Sequence, residues 1–384
     1  VIYLNNAATS WPKPESVYKT ADKVLREESG NPGRSGHAFS LAARRRIEET
    51  RQLLAELFNA PDPKRIVFTL NATDSLNLAI KGFALKGLCE KGAHVVTSSM
   101  EHNSVIRPLE ALRERGVEYV KVKTCPVNGA NPADVKAAIK ANTKLVVWNH
   151  VSNVSGTVNP VAQIGELCRE RGIPLLVDAA QSAGTTPIDV QAMGISCLAF
   201  PGHKGLFGPQ GTGGLYIENG LSPLPLREGG TGSRSEASTQ PQELPDRYES
   251  GTMNAAGIAA LGEGVRFLLE HGIENIEKHE ANMATRLIDG IRNLRGLKLH
   301  GPPGGERRKG IVSLSFDNLA PTEAALILEN TFDIAVRPGL HCAPDAHKTL
   351  GTLDSGGTLR IGIGYLNTAE DIDRCIEALA AILA

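Results

Sequence analysis

At 384 residues the chain is long enough to bury a sizeable core and to form two domains, or one large domain with a smaller satellite. Its 41 Lys and Arg stand against 42 Asp and Glu, and the formal net charge of -1 gives no electrostatic ground for nucleic acid or a membrane surface as a partner. No stretch offers about 20 continuous apolar residues, and the opening "VIYLNNAATSWPKPE" lacks the basic and apolar regions of a signal peptide, so a cytoplasmic protein is expected.

From Arg65 to about Ile217, short β-branched or apolar runs alternate with longer amphipathic ones. "RIVFTL", "AHVVTSS", "YVKVKT", "KLVVWNH", "PLLVD", "CLAFP" and "GGLYI" read as strands. "DSLNLAIKGFALKGL" (Asp74–Leu88), "NSVIRPLEALRERG", "PADVKAAIKAN" and "VAQIGELCRERG" read as helices between them. Strand and helix in alternation predict a mostly parallel, seven-stranded sheet covered on both faces. The segment Leu221–Gly251 is rich in Gly, Pro, Ser and charge, and a connection of that length is more often functional than idle. A long helical stretch follows, interrupted around Gly272. Then "GIVSLSF", "PTEAALILEN", "IAVRPG", "TLRIGIG" and "AEDIDRCIEALAAIL" predict a small α+β domain. The expected division is a large domain over 16–255 and a small one built from 1–15 and 256–384.

In an open parallel sheet, ligands gather beyond the carboxyl ends of the strands, so the polar residues that follow each strand are the candidates. After "IVFTL" come Asn71, Ala72 and Thr73 at a helix start. That arrangement reads either as a phosphate cup or as a plain N-cap. After "AHVVTSS" come Glu101 and His102, after "KLVVWNH" comes Asn153, and "PLLVD" ends in Asp178 with Gln181 close behind. About 26 residues beyond Asp178, Lys204 follows a strand in a Gly-His-Lys turn. Pyridoxal phosphate needs a lysine to carry it, a carboxylate on its ring nitrogen and a phosphate cup, and all three types occur at strand ends.

The six cysteines Cys89, Cys125, Cys168, Cys197, Cys342 and Cys375 stand singly without a C-x-x-C pair, as suits a reducing compartment, and any special one should be special for reactivity. Cys342 lies in "AVRPGLHCAPDAHKTLG" with Arg337, His341 and His347 nearby in sequence. Three readings are open: a metal ligand, a buried small hydrophobe, or a nucleophile whose thiolate the neighbouring Arg and His side chains favour. With no second cysteine or histidine pair beside it, a four-ligand metal site is disfavoured and no metal is expected.

The ordered series "YLNNAATSWPKP", "NATDSLN", "MEHNSV", "HVSNVSGTVNP", "VDAAQSAG", "GHKGLFGPQGTGGLYI", "YESGTMN", "AVRPGLHCAP" and "LRIGIGYLNTAEDID" resembles the class V aminotransferase group of fold-type I pyridoxal-phosphate enzymes, and within it the NifS/SufS-like cysteine desulfurases and selenocysteine lyases. The resemblance implies that Lys204 carries the cofactor as a Schiff base and shuttles the substrate Cα proton. It implies that Asp178 pairs with the ring nitrogen, Gln181 bonds the phenolate oxygen and His102 stacks on the ring. Ala72, Thr73 and His203 would hold the phosphate, and Thr252 would reach the phosphate of a neighbouring subunit in a homodimer with shared sites. Asn153 and Arg360 would face the substrate, Arg360 as a bidentate carboxylate clamp. Cys342 would accept the sulfur of L-cysteine as a persulfide and pass it to an acceptor protein or small thiol, leaving L-alanine. L-selenocysteine is the alternative substrate. Cysteine or cystine lyase, aminotransferase and inactive scaffold are the rival readings. One departure is visible: Pro201 stands where many relatives have a serine before Gly-His-Lys, so a hydroxyl for the phosphate is missing there.

Overall fold

The computed structural model describes residues 1–33, 36–87, 91–304 and 307–384. Cys89 and Leu88, the last residue of the first helix candidate, lie outside the described residues. The chain opens with β1 (Ile2–Tyr3), α1 (Glu15–Glu27) and α2 (Ala38–Leu57). It then alternates β2 (Ile66–Thr69), α3 (Ala72–Leu85), β3 (His94–Ser98), α4 (Asn103–Arg113), β4 (Glu118–Val122), α5 (Pro132–Ala138), β5 (Thr143–Asn149), α6 (Val161–Glu170), β6 (Leu175–Asp178), β7 (Cys197–Pro201) and β8 (Gly213–Ile217).

Strands β2 to β8 form one seven-stranded sheet in the order β2-β8-β7-β6-β5-β3-β4. β8 runs antiparallel to both its neighbours, and the other pairings are parallel. β2, β3, β6, β7 and β8 are buried at every residue, which is why they read as unbroken apolar runs. The edge strand β4 presents Glu118 to solvent, as edges that resist pairing do. α1 and α2 have no counterpart in the strand and helix candidates above. α2 buries Ala43, Ile47, Thr50, Arg51 and Leu54, a stripe so rich in small and polar residues that its hydrophobic signal is weak.

The second half contains α7 (Ala255–His271), α8 (Ile273–Ile291), β9 (Leu297–His300), β10 (Ile311–Phe316), α9 (Pro321–Phe332), β11 (Ile334–Ala335), β12 (Arg337–Gly339), α10 (Pro344–Leu350), β13 (Thr358–Gly362) and α11 (Ala369–Leu383). An antiparallel sheet of order β12-β13-β10-β9 carries the small α+β unit, and β1 pairs in parallel with β11. Its core is Leu287, Leu314, Leu328, Ile361 and Leu379 with their neighbours. α7, which the expected division at 255/256 assigns to the small domain, buries Ile258, Leu261, Val265 and Leu268 in the core of the large sheet, and Gly272, with a φ of 79°, breaks α7 from α8.

Candidate active site

A cavity of about 160 Å³ opens where β5, β6 and β7 end and α3 begins. Asn71 caps α3 by accepting the Asp74 N–H at 3.0 Å. The first-turn N–H groups of Ala72 and Thr73, which a helix start leaves without intrahelical partners, belong to the cavity wall. Asp178, the last residue of β6, is buried. Desolvation raises its pKa, against which the Ala180 N–H at 2.9 Å and the charge of Lys204 both work. Lys204 follows β7 and is lowered to about 8, first by burial and then by Arg360, with Asp178 pulling the other way. His102 is lowered to about 4 by burial and next by Lys204, so its ring is neutral at physiological pH. Its Nδ1 lies 2.8 Å from Ser104 Oγ, which in turn lies 2.7 Å from Thr73 Oγ1. Gln181 lines the same wall and donates from Nε2 to the Ala7 carbonyl at 3.0 Å. His203 is also lowered to about 4, and its buried Nδ1 has no hydrogen-bond partner.

These residues fit pyridoxal phosphate. A half-buried amine, a buried carboxyl, a neutral flat ring and an anion cradle at a helix start line one cavity, with an unpartnered His203 nitrogen beside them. Pro201 does line the cavity without a hydroxyl, as its sequence departure implies, but Ser104 brings one to the same space. Ser104 was missed by sequence reasoning. The signal was there in "EHNS", two residues past His102 at the start of α4.

The small unit supplies the second half of the site. Arg360, in the middle of β13, is 1% exposed, and its Nη1 donates to the Asn153 carbonyl at 3.0 Å. Its Nε and Nη2 have no partner. Burial, then Arg337, lowers its pKa to about 9, which leaves the guanidinium charged at neutral pH and in need of an anion. Cys342 is exposed, with Arg337 Nη2 3.8 Å from its Sγ. Its backbone is unusual: His341 and Cys342 take φ values of 50° and 57° in succession, the left-handed region that non-glycine residues seldom occupy. The turn is held there by Asn153 Nδ2 donating to the His341 carbonyl at 2.7 Å and the Asn103 N–H donating to the Cys342 carbonyl at 2.8 Å.

Two expectations about this turn change. His341 and His347 are both buried, their rings 5.5 Å apart, and are lowered to about 2 and about 4 respectively, chiefly by desolvation. They are neutral at physiological pH, so of the three suggested cations only Arg337 provides charge beside the sulfur. Among the described residues no three His, Cys, Asp or Glu side chains are arranged to hold a metal. Asn153, expected to face substrate, lines the cavity but also joins Arg360 to the Cys342 turn.

Residues 2–375 match the family model described as Aminotransferase class-V. The chain belongs to the class-V aminotransferases. It is 37% identical to a probable cysteine desulfurase of Methanothermobacter thermautotrophicus, over 99% of this chain and 94% of that protein. It is 32% identical to a cysteine desulfurase of Haloferax volcanii, over 99% of this chain and 89% of the other. Among solved structures, a cysteine desulfurase of Thermococcus onnurineus NA1 matches with a TM-score of 0.92 at 32% identity, covering 100% of this chain and 94% of that one. The fold-type I architecture implied by the sequence resemblance is therefore the architecture of the chain.

Not every candidate of this class-V aminotransferase joins the cavity. Thr252 lies in a separate cleft of about 500 Å³ with Arg44, Glu48, Lys64 and Thr231. The segment Leu221–Gly251 contains neither helix nor strand but is well tied down. Leu224 N–H donates to the Gly82 carbonyl at 3.0 Å, Arg227 pairs with Asp74 at 3.0 Å, and Glu249 near its end pairs with buried Arg51 at 2.8 Å. Cys168 and Cys375 are buried and pushed up to about 12, Cys197 is buried and raised too, and Cys125 is exposed. No helix among the described residues is long and apolar enough to cross a membrane.

Proposed function

We propose that this chain is a pyridoxal-phosphate-dependent cysteine desulfurase that converts L-cysteine to L-alanine and keeps the sulfur on Cys342 as a persulfide. One observation carries the reading. An exposed thiol with a guanidinium at 3.8 Å stands on a turn held by Asn153, which also lines the Lys204 cavity and accepts from Arg360. A plain aminotransferase has no use for a thiol there, and the names of the relatives favour cysteine as substrate.

When bound, the cofactor supplies an electron sink for the pair left as the Cα proton departs. Ala72, Thr73 and His203 would hold its phosphate, Asp178 its ring nitrogen, Gln181 its phenolate oxygen and His102 its ring face. Arg360 takes the substrate carboxylate on its two free nitrogens. Lys204, lowered to about 8, exchanges a proton with Cα near neutral pH. Cys342 Sγ bonds to the substrate sulfur as the Cβ–S bond breaks. The electron pair stays with carbon, which takes up a proton, and the sulfane sulfur remains on Cys342. A small thiol or acceptor protein then collects it at this exposed position. We read the chain as half of a homodimer in a cytoplasmic, reducing setting, with Thr252 serving the partner's site.

Product analysis tests the reading. L-Cysteine with a reductant should yield alanine and sulfide in equal amounts, and Cys342→Ala should lower turnover by about a hundredfold or more while the bound cofactor's visible band persists. Pyruvate and ammonia as the main products, or an unaffected Cys342→Ala, would overturn it.

A further inference from the structure

The N-terminal motif "NNAATSWPKP" is among the clearest in the sequence, yet nothing in the proposed chemistry uses it. In the structure it converges on one atom. The carbonyl oxygen of His203, the residue before Lys204, accepts from Ser10 N–H at 3.0 Å, Thr9 Oγ1 at 3.0 Å, Ser10 Oγ at 3.3 Å and Lys13 Nζ at 3.4 Å. A carbonyl oxygen has two lone pairs, so four donors, one of them cationic, exceed what satisfying a buried acceptor requires. Lys13 also bonds Ser10 Oγ at 2.9 Å and the Ser10 carbonyl at 3.1 Å. Keeping this amine largely out of water has a cost, since burial lowers it to about 8.

The same segment is fastened at its other end to the strand of Arg360. Asn6 N–H donates to the Gly362 carbonyl at 3.0 Å, Gly362 N–H to the Leu4 carbonyl at 2.7 Å, and Asn6 Nδ2 to Asn367 Oδ1 at 3.0 Å. Midway, the Ala7 carbonyl receives Gln181 Nε2. Residues 4–13 thus tie the strand of Arg360, which belongs to the small unit, to the turn of Lys204, which belongs to the large one. The turn is already confined on two sides. A Cβ on Gly202 would meet Thr212 Oγ1 at 2.1 Å, and one on Gly205 would meet the Ala183 carbonyl at 2.5 Å. The N-terminal strap adds a third side and carries a connection to Arg360's strand through Gly362.

We propose that Thr9 and Lys13 are positioning residues for Lys204, clamping the His203 carbonyl so that the Lys204 amine stays in register with a substrate held by Arg360. The proposal rests on the desulfurase reading for its substrate but not for its geometry. A lysine set out of register leaves carboxylate binding intact and slows the proton step, so the loss should fall on kcat and not on KM.

The experiment compares Lys13→Met, Lys13→Arg and Thr9→Val in the cofactor-loaded protein, with cofactor content and thermal midpoint measured alongside. Lys13→Met should lower kcat by about tenfold or more and leave KM for L-cysteine within about twofold, and Thr9→Val should act in the same direction. Lys13→Arg should recover most of the rate. The visible circular dichroism of the lysine-bound cofactor should weaken in Lys13→Met and Thr9→Val at unchanged cofactor content. Wild-type kcat and dichroism in both variants would overturn the proposal. So would losses that merely follow cofactor content and thermal midpoint and that Lys13→Arg does not relieve. Dichroism is read without turnover, so it decides the clamp even if product analysis rejects the desulfurase reading.

Discussion

Glu101 is wholly buried beside the cavity, with Ser98 Oγ at 2.5 Å and the Asn149 N–H at 3.1 Å on one oxygen and no partner on the other. Desolvation is the main cause that raises its pKa to about 8, and the charge of Asp178 adds to it. A neutral Glu101 removes one like charge from beside Asp178. The native state keeps this proton between about pH 4.5 and pH 8 while the unfolded chain releases it, so stability falls through that window by up to about 1.4 kcal/mol per pH unit. Glu101→Gln should therefore gain on wild type as the pH rises. Denaturant midpoints at about pH 5 and about pH 8 check this, and a pH-independent difference would show an ionised Glu101. Sequence reasoning had found Glu101 at its strand end but gave it no role, because whether a carboxyl is charged depends on tertiary burial. Lys204 and Asp178 were legible for the opposite reason: a strand end in a parallel sheet is itself a location. The left-handed His341 and Cys342 were not legible, since no glycine or asparagine announces that conformation there.

At the scale of elements, the anion cradle depends on how closely β8 passes α3. A Cβ on Gly213 would lie 2.7 Å from the Asn71 Cα and 2.9 Å from the Phe200 carbonyl oxygen, both backbone atoms that yield poorly. Gly213→Ala should destabilise the fold by about 1–3 kcal/mol and, by displacing the helix start, weaken cofactor retention at least several-fold. Denaturant unfolding and rebinding of cofactor to the apo form measure the two effects. The alternation of strands and helices from β2 to β8 was readable because fully buried strands are uninterrupted apolar runs. β9 was not, since only His300 of its four residues is buried and its "LKLH" carries no strong pattern. The two carbonyls of the Cys342 turn are anchored by Asn153 and Asn103, which sets where the thiol is presented.

For the whole molecule, the separation of Thr252 from the Lys204 cavity is the observation that sequence could not supply, because one chain's motif does not say whose site it completes. If Thr252 serves a neighbouring subunit, dilution that splits the dimer should release cofactor, and Thr252→Ala should weaken retention by about tenfold with no change in monomer stability. Cofactor absorbance followed against protein concentration checks both, and retention independent of concentration would count against shared sites. The thiols extend the consequence to sulfur traffic. With Cys168, Cys197 and Cys375 buried and held as thiols, the buried cysteines among the described residues would offer sulfane sulfur no relay on the proposed chemistry. On the proposed chemistry Cys342 would act as a loading dock, and the rate at which an outside thiol reaches it would set how long each load waits.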